Sequence, residues 1–225
     1  MILRLIHNDG IKFVAIFALI ALLFWQINVS LGWFGILLTA WCIYFFRNPI
    51  RVVPNRKGLV VSPADGKIVG ISKVIPPKDL EIGEDQVYKI SIFLNVFDVH
   101  VNRIPFGGVI KKVLYHQGQF VNASLDKASD LNERNTLVIE NEDGIKIAVV
   151  QIAGLIARRI RCDVVVDDKV ETGQIYGLIR FGSRADIYLP KSSIPSVIVG
   201  QRAIAGETVL SDLDSQEAER TGKEI

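Results

Sequence analysis

The stretch "NTLVIENEDGIKIAVVQIA", residues 135–153, decides the fold class. Two runs rich in Val and Ile flank Asn-Glu-Asp-Gly, and Asp143-Gly144 is turn chemistry, so the stretch reads as strand, turn and strand. The same texture extends outward on both sides. "GLVVS" (58–62), "PADG" and "KIVGISKVI" (67–75) lie upstream, followed by "QVYKISIFL" (86–94) and "GGVIKKVLY" (107–115). "CDVVV" (162–166) and "GQIYGLIRF" (173–181) lie downstream. Short strands at this spacing, with Asp-Gly and Gly-Gly turns between them, predict a mainly β protein: one sandwich or barrel-like domain over 57–210. One long stretch breaks the pattern. "QGQFVNASLDKASDLNERN" (117–135) is polar and is expected to form an ordered loop, with a helical turn starting at Asn122 or Ser124. Loops of this length in compact domains usually carry function. The tail, 211–225, is polar with no apolar period and is expected to fray.

The N-terminus has a different character. Phe13 to Phe46 contains no Asp, Glu, Lys, Arg or His and holds Trp25, Trp33 and Trp41. It accounts for much of the 49% hydrophobic content and the mean hydropathy of +0.31. The run is too long for the apolar core of a signal peptide, and no small-x-small cleavage site follows it. As one helix it would span about 51 Å at ~1.5 Å per residue, against a hydrocarbon core of ~30 Å. The polar break at Asn28, Ser30 and Gly32 predicts a helical hairpin instead, with arms near 13–27 and 31–46, either spanning or re-entrant. Arg4 and Lys12 precede it, and Arg47, Arg51, Arg56 and Lys57 follow. That asymmetry places both ends on the cytoplasmic side of the cell's inner membrane. Residues 1–56 are therefore read as a membrane anchor plus a linker broken by Pro49 and Pro54. A buried core hairpin of a soluble protein is the competing reading. The net charge of +2 is too small to argue for a nucleic-acid partner. Cys42 and Cys162 lie far apart, one in the apolar run, and predict no structural disulfide.

Few residues in the β region suggest chemistry. His100 and His116 are its only imidazoles. Unbroken alternation through "IFLNVFDVH" would put His100 on one face with Leu94, Val96 and Asp98. A half-buried, hydrogen-bonded histidine is the ordinary reading. Asp65 in "SPADG" reads as a turn residue beside Gly66. Two histidines without a cysteine cluster make a poor metal site, so none is expected. Lys169 in "VDDKVETG" resembles the modified lysine at a carrier-domain hairpin tip, although a solvated turn lysine is far commoner. Gly182-Ser183, in "IRFGSRADIYLP" (179–190), reads first as a tight step between two halves of a strand.

Taken together and in order, four stretches carry more. "SPADGKIV" (62–69), "IFLNVFDVHVNRIPFGG" (92–108), "NASLDKASDLNERN" (122–135) and "GQIYGLIRFGSRADIYLP" (173–190) resemble the phosphatidylserine decarboxylases. The likeness is greatest to the short form with an N-terminal membrane hairpin. It is strong over about 47–210 and extends to the hairpin in character.

The resemblance implies that the Gly182–Ser183 bond breaks itself. Ser183 Oγ would attack the Gly182 carbonyl and convert the amide to an ester. Loss of the Ser183 α-proton would expel the carboxylate and leave dehydroalanine, which hydrolyses to a pyruvoyl group and ammonia. The products would be chains 1–182 and 183–225, held together because their strands share a sheet. A neutral serine is a weak nucleophile and needs a base; amide cleavage needs strain and oxyanion donors. The pyruvate-derived ketone would then serve as the electron sink for decarboxylation. His100 falls at the place of the histidine that reprotonates the α-carbon.

The chain departs from the longer family members three residues after His100. Arg103 stands where they carry the second histidine that pairs with the "SPADG" aspartate, here Asp65. Three routes to serine activation stay open: His100 serving both steps, His116 substituting, or strain with oxyanion stabilisation. The scarcity of histidines favours the first, with Asp65 orienting His100. "FGSR" also replaces the commoner Leu-Gly-Ser-Thr. Arg103 and Arg184 are candidates for the lipid phosphate. The partners implied are a phospholipid and the bilayer that holds it, with a homo-oligomer left open. Two other readings stand beside this one. One is a non-catalytic membrane-tethered carrier or adaptor domain with Lys169 modified, and the other is a pyruvoyl decarboxylase of another seryl phospholipid.

Overall fold

The computed structural model describes residues 5–119, 121, 123, 131–154, 160–180, 182–191 and 193–223. The chain forms two units, one running to Ile50 and including Phe97–Val99, the other comprising Arg51–Val96 and the chain from His100 onward. The helical turn expected at Asn122 or Ser124 falls largely outside the described residues.

The first unit is built on two helices, α1 (Asn8–Ile27) and α2 (Val29–Phe45). The break between them is narrower than the sequence suggested. Asn28 alone is extended and ends α1, and its side chain accepts a 2.7 Å bond from Ser30 N–H to start α2. Asn28 thus satisfies a donor that would otherwise be orphaned at the new helix. Ser30 and Gly32 are already helical. The helices approach closely because a small residue faces a small residue: a Cβ on Gly35 would lie 2.6 Å from the Ala21 Cα. Only Gly10 and Ala21 of α1 are buried, while Leu19, Leu22, Leu23, Trp33 and Leu37 are more than half exposed. α1 is long and apolar enough to cross a membrane; α2 is shorter, with 17 residues.

The second unit is β. In chain order its strands are β1 (Leu59–Val61), β2 (Gly66–Val74), β3 (Val87–Leu94), β4 (Val101–Arg103), β5 (Gly108–His116), β6 (Arg134–Glu140) and β7 (Lys146–Ile152). They continue with β8 (Ile160–Cys162), β9 (Lys169–Val170), β10 (Ile175–Ile179), β11 (Ser183–Tyr188), β12 (Arg202–Ala203) and β13 (Val209–Asp212). Eight strands make one sheet in the order β12-β2-β3-β11-β7-β6-β5-β9; β4-β10-β8 and β1-β13 make two smaller ones. The neighbours whose registers are described pair antiparallel. The opening stretch becomes β6 and β7, paired residue for residue from Arg134↔Ile152 to Glu140↔Lys146.

The sheet has an apolar core face and a second covered face. Ile90, Ile92, Leu137, Ile139, Ile147, Val149, Ala185 and Ile187 fill the core. Val138, Ala148, Val150, Ile152 and Tyr188 lie on the other side. That is the period-two alternation of paired strands. Buried side-chain amides join the large sheet to the small one. Asn135 donates to Gln151 Oε1 (2.9 Å), and Gln151 Nε2 donates to Asn102 Oδ1 (2.9 Å).

Two local readings change. The strand expected to run through to His100 stops at Leu94 and resumes at Val101 as β4 in another sheet. Alternation therefore does not carry across. The tail, expected to fray, is tied down among its described residues. Glu219 meets Tyr88 Oη and Lys73, and Arg220 donates to the Ser196 carbonyl at 2.8 Å.

Candidate active site

Gly182 and Ser183 do not form a turn within one strand. β10 ends at Ile179 in the three-stranded sheet, and β11 begins at Ser183 in the eight-stranded one. The bond between them sits where the chain crosses from sheet to sheet. A second crossing runs alongside. Leu94, the end of β3, pairs with Ser183, and the His100 carbonyl, just before β4, accepts from Ile179 N–H at 3.2 Å. The two crossings are clamped at both ends.

Gly182 has φ +57°, and a Cβ there would meet nothing within 4 Å. Glycine is required for the left-handed backbone, not for space; another residue would pay about 1–2 kcal/mol. Gly154 is required for the opposite reason. A Cβ on Gly154 would lie 1.6 Å from the Gly182 carbonyl oxygen. The Gly182 carbonyl is thus seated directly on the Gly154 backbone.

Ser183 is fully buried, and its Oγ has no hydrogen-bond partner among the described residues. Such groups are rare and call for an explanation. Its side chain shares the core face with Ala185 and Ile187. β11 pairs Arg184 with Ile152 of β7, and one step further sets Ser183 level with Ala153. Ala153 N–H in turn donates to the Glu133 carbonyl at 2.9 Å. One row across the sheet therefore reads Leu94, Ser183, Ala153, Glu133. Glu133 is buried, and among the described residues its Oε1 also lacks a partner.

The facing sheet brings His100 to the same end of the core. Leu178 pairs with Val101 and Gly177 with Asn102, so Ile179 and His100 are opposite one another. Asn102 reaches Gln151 on the large sheet, and Ile179 clusters with Ala153. His100 immediately precedes β4, and its carbonyl is held by Ile179 N–H. It is fully buried.

The other expected residues are placed differently. Asp65 accepts from Arg51 Nη2 at 2.7 and 2.9 Å and from Ala205 N–H at 2.8 Å. Arg51 and Ala205 are thus among the partners of its carboxylate. Arg103 joins the same cluster and donates to the Gly173 carbonyl at 2.9 Å. Burial, then the neighbouring Arg51 charge, pulls its guanidinium below the ordinary value, with Asp65 and Glu207 opposing. Arg184 is internal. It is 1% exposed, pairs with Asp186 through Nε (2.9 Å) and Nη2 (3.0 Å), and reaches the Ala123 carbonyl at 3.3 Å. A guanidinium held this way braces β11 from inside. His116 pairs with Arg134 in register and lies 3.4 Å from Asp79. That row has the phase of Ile152, on the face away from Ser183. Lys169 lies in the edge strand β9, opposite Val109.

Sequence reasoning missed Glu133 and Gly154. Glu133 is in phase with Asn135, Leu137 and Ile139, all of them buried. A carboxylate continuing an apolar face was the available signal. Gly154 had none, because its close neighbour is remote in sequence.

A family model described as phosphatidylserine decarboxylase matches residues 38–211. The phosphatidylserine decarboxylase proenzyme of Cereibacter sphaeroides is 55% identical over 216 residues, covering 96% of this chain and 93% of the relative. That of Paramagnetospirillum magneticum is 54% identical over 218 residues, with 97% and 91% covered. That of Rickettsia bellii is 53% identical over 209 residues, with 93% and 90% covered.

Proposed function

The chain belongs to the phosphatidylserine decarboxylase family, and from that premise we propose that it decarboxylates phosphatidylserine to phosphatidylethanolamine with a pyruvoyl group made from its own Ser183. The observation that carries the mechanism is the pairing of a left-handed Gly182 with a buried Ser183 Oγ that has no hydrogen-bond partner among the described residues. Those residues fit the precursor of the group. Oγ has no competing hydrogen bond to break before attack, and the crossing peptide is clamped from both sides. The ketone so formed would supply an electron sink for the carbanion left when CO₂ departs.

The chain's own residues do the rest. Ser183 opens the main chain after Gly182, giving fragments 1–182 and 183–225. His100, buried on the facing sheet, hands a proton to the substrate α-carbon, and an imidazole is suited to that near neutral pH. Arg103, half-buried among Asp65, Glu207 and Arg51, is the proposed contact for the lipid phosphate. Arg184 passes out of that role because Asp186 occupies it. The apolar helices hold the protein to the bilayer, with the β unit on the cytoplasmic face and Arg47, Arg51, Arg56 and Lys57 following the helices in sequence towards anionic lipid. The family leaves the carrier reading, with Lys169 modified, without support.

Borohydride reduction in the presence of phosphatidylserine tests the proposal. It is expected to fix lipid covalently on the fragment beginning at residue 183. Label on Lys169, or on neither fragment, would overturn it.

A further inference from the structure

The self-cleavage just proposed leaves one group unassigned: the base that takes the Ser183 hydroxyl proton. Arg103 stands where a histidine was expected, and Asp65 is held by Arg51 and Ala205. His116 is on the other face of the sheet. Among the described residues, a buried carboxylate level with the Ser183 row is that of Glu133.

Glu133 is fixed from both directions. Its N–H donates to the Gln119 carbonyl at 3.0 Å, and its carbonyl accepts from Ala153 at 2.9 Å. Next to it, the Asn132 side chain donates to the Ala153 and Val121 carbonyls, each at 2.7 Å. The backbone that carries Glu133 is thus tied to the strand end that seats the Gly182 carbonyl. Across the row, Ser183 and Glu133 are two strand spacings apart, about 10 Å between backbones. The residue between them decides what can pass. Ala153 presents one methyl, over which a glutamate can extend; on the other flank Leu94 fills the same position. Glu133 Oε1 and Ser183 Oγ are both buried and both without a partner among the described residues. Two orphaned polar atoms on one face, with only a methyl between, are explained together if they serve each other, directly or through one water.

Resting on that reading of the reaction, we propose that Glu133 is the proton carrier of self-cleavage. As Ser183 Oγ bonds to the Gly182 carbonyl carbon, the Glu133 carboxylate takes the hydroxyl proton. As the carbon–nitrogen bond breaks, it returns that proton to the Ser183 nitrogen. One C–O bond forms, one C–N bond breaks, and one proton moves from oxygen to nitrogen, so the ester has the composition of the amide. His100, on the opposite sheet, is left for the α-carbon. The two proton-handling groups flank residue 183 from different sheets, and this chain needs no second histidine.

The test follows cutting, not decarboxylation. The full chain is made in a cell-free system, and the two fragments are timed for wild type, Glu133→Gln and Glu133→Asp, with thermal melts of each. Glutamine keeps the shape and cannot carry the proton, so cutting is expected to slow by about 10²–10⁴-fold with the melt unchanged. Aspartate keeps the charge with a shorter reach and is expected to cut at an intermediate rate. Wild-type cutting in Glu133→Gln overturns the assignment; should that variant fail to fold, wild-type cutting in Glu133→Asp does so. A wild-type chain that never cuts would instead sink the pyruvoyl reading, which separates the two failures.

Discussion

The Gly154 backbone lies so close to the Gly182 carbonyl oxygen that a methyl group at residue 154 would stand 1.6 Å from it. One of the two must move if Gly154 gains a side chain. Gly154→Ala is expected to displace the scissile carbonyl and leave the chain uncut, at a stability cost of about 1–3 kcal/mol from overpacking. Gel analysis of the expressed protein, beside a denaturant melt, checks it; normal cutting would show that the contact is dispensable.

Ser183→Ala is expected to leave one 25.0 kDa chain without decarboxylase activity. Intact mass under denaturing conditions reads this directly. The wild-type fragment from residue 183 should resist Edman degradation, since a pyruvoyl terminus has no amine. A readable serine would mean that an external protease made the cut.

His100→Gln separates the two proton transfers. With Glu133 serving the first, this variant is expected to cut normally and then release CO₂ about 10²–10⁴-fold more slowly. Labelled phosphatidylserine measures the release. Failure to cut would restore His100 to both steps.

Arg184→Met strips Asp186 of its buried partner. Both side chains are 1% exposed, so an uncompensated charge remains in the sheet, at a cost of about 3–5 kcal/mol. Replacing both, with Arg184→Met and Asp186→Leu, should recover most of the loss. A single variant as stable as wild type in urea would mean that water reaches the pair.

The strands were legible because their apolar positions repeat every second residue and Asp143-Gly144 marks the turn between two of them. The Gly182–Ser183 bond was singled out by resemblance, while the geometry around it was not legible. That Ile179 and Ser183 belong to different sheets depends on which strands they pair with, and such pairings are made across distant stretches. Glu133 was hidden for the same reason, since its neighbourhood with Ser183 exists only through two registers. Arg184 misled because arginine is usually exposed. The clue was Asp186 two residues on, which on a strand falls on the same face. The tail misled because polar composition says nothing of Glu219 meeting Tyr88.

The eight-stranded sheet sets β11 between β3 and β7, with the residues that follow supplying β12 and β13. Once the bond before Ser183 is cut, the middle of that sheet belongs to a separate polypeptide of residues 183–225. Folding before the cut is unimolecular; recovery after denaturation would need two molecules to meet, so its rate would scale with concentration. With that cut, each copy would have one concentration-independent chance to assemble, and a reversible folding problem would become a kinetic commitment.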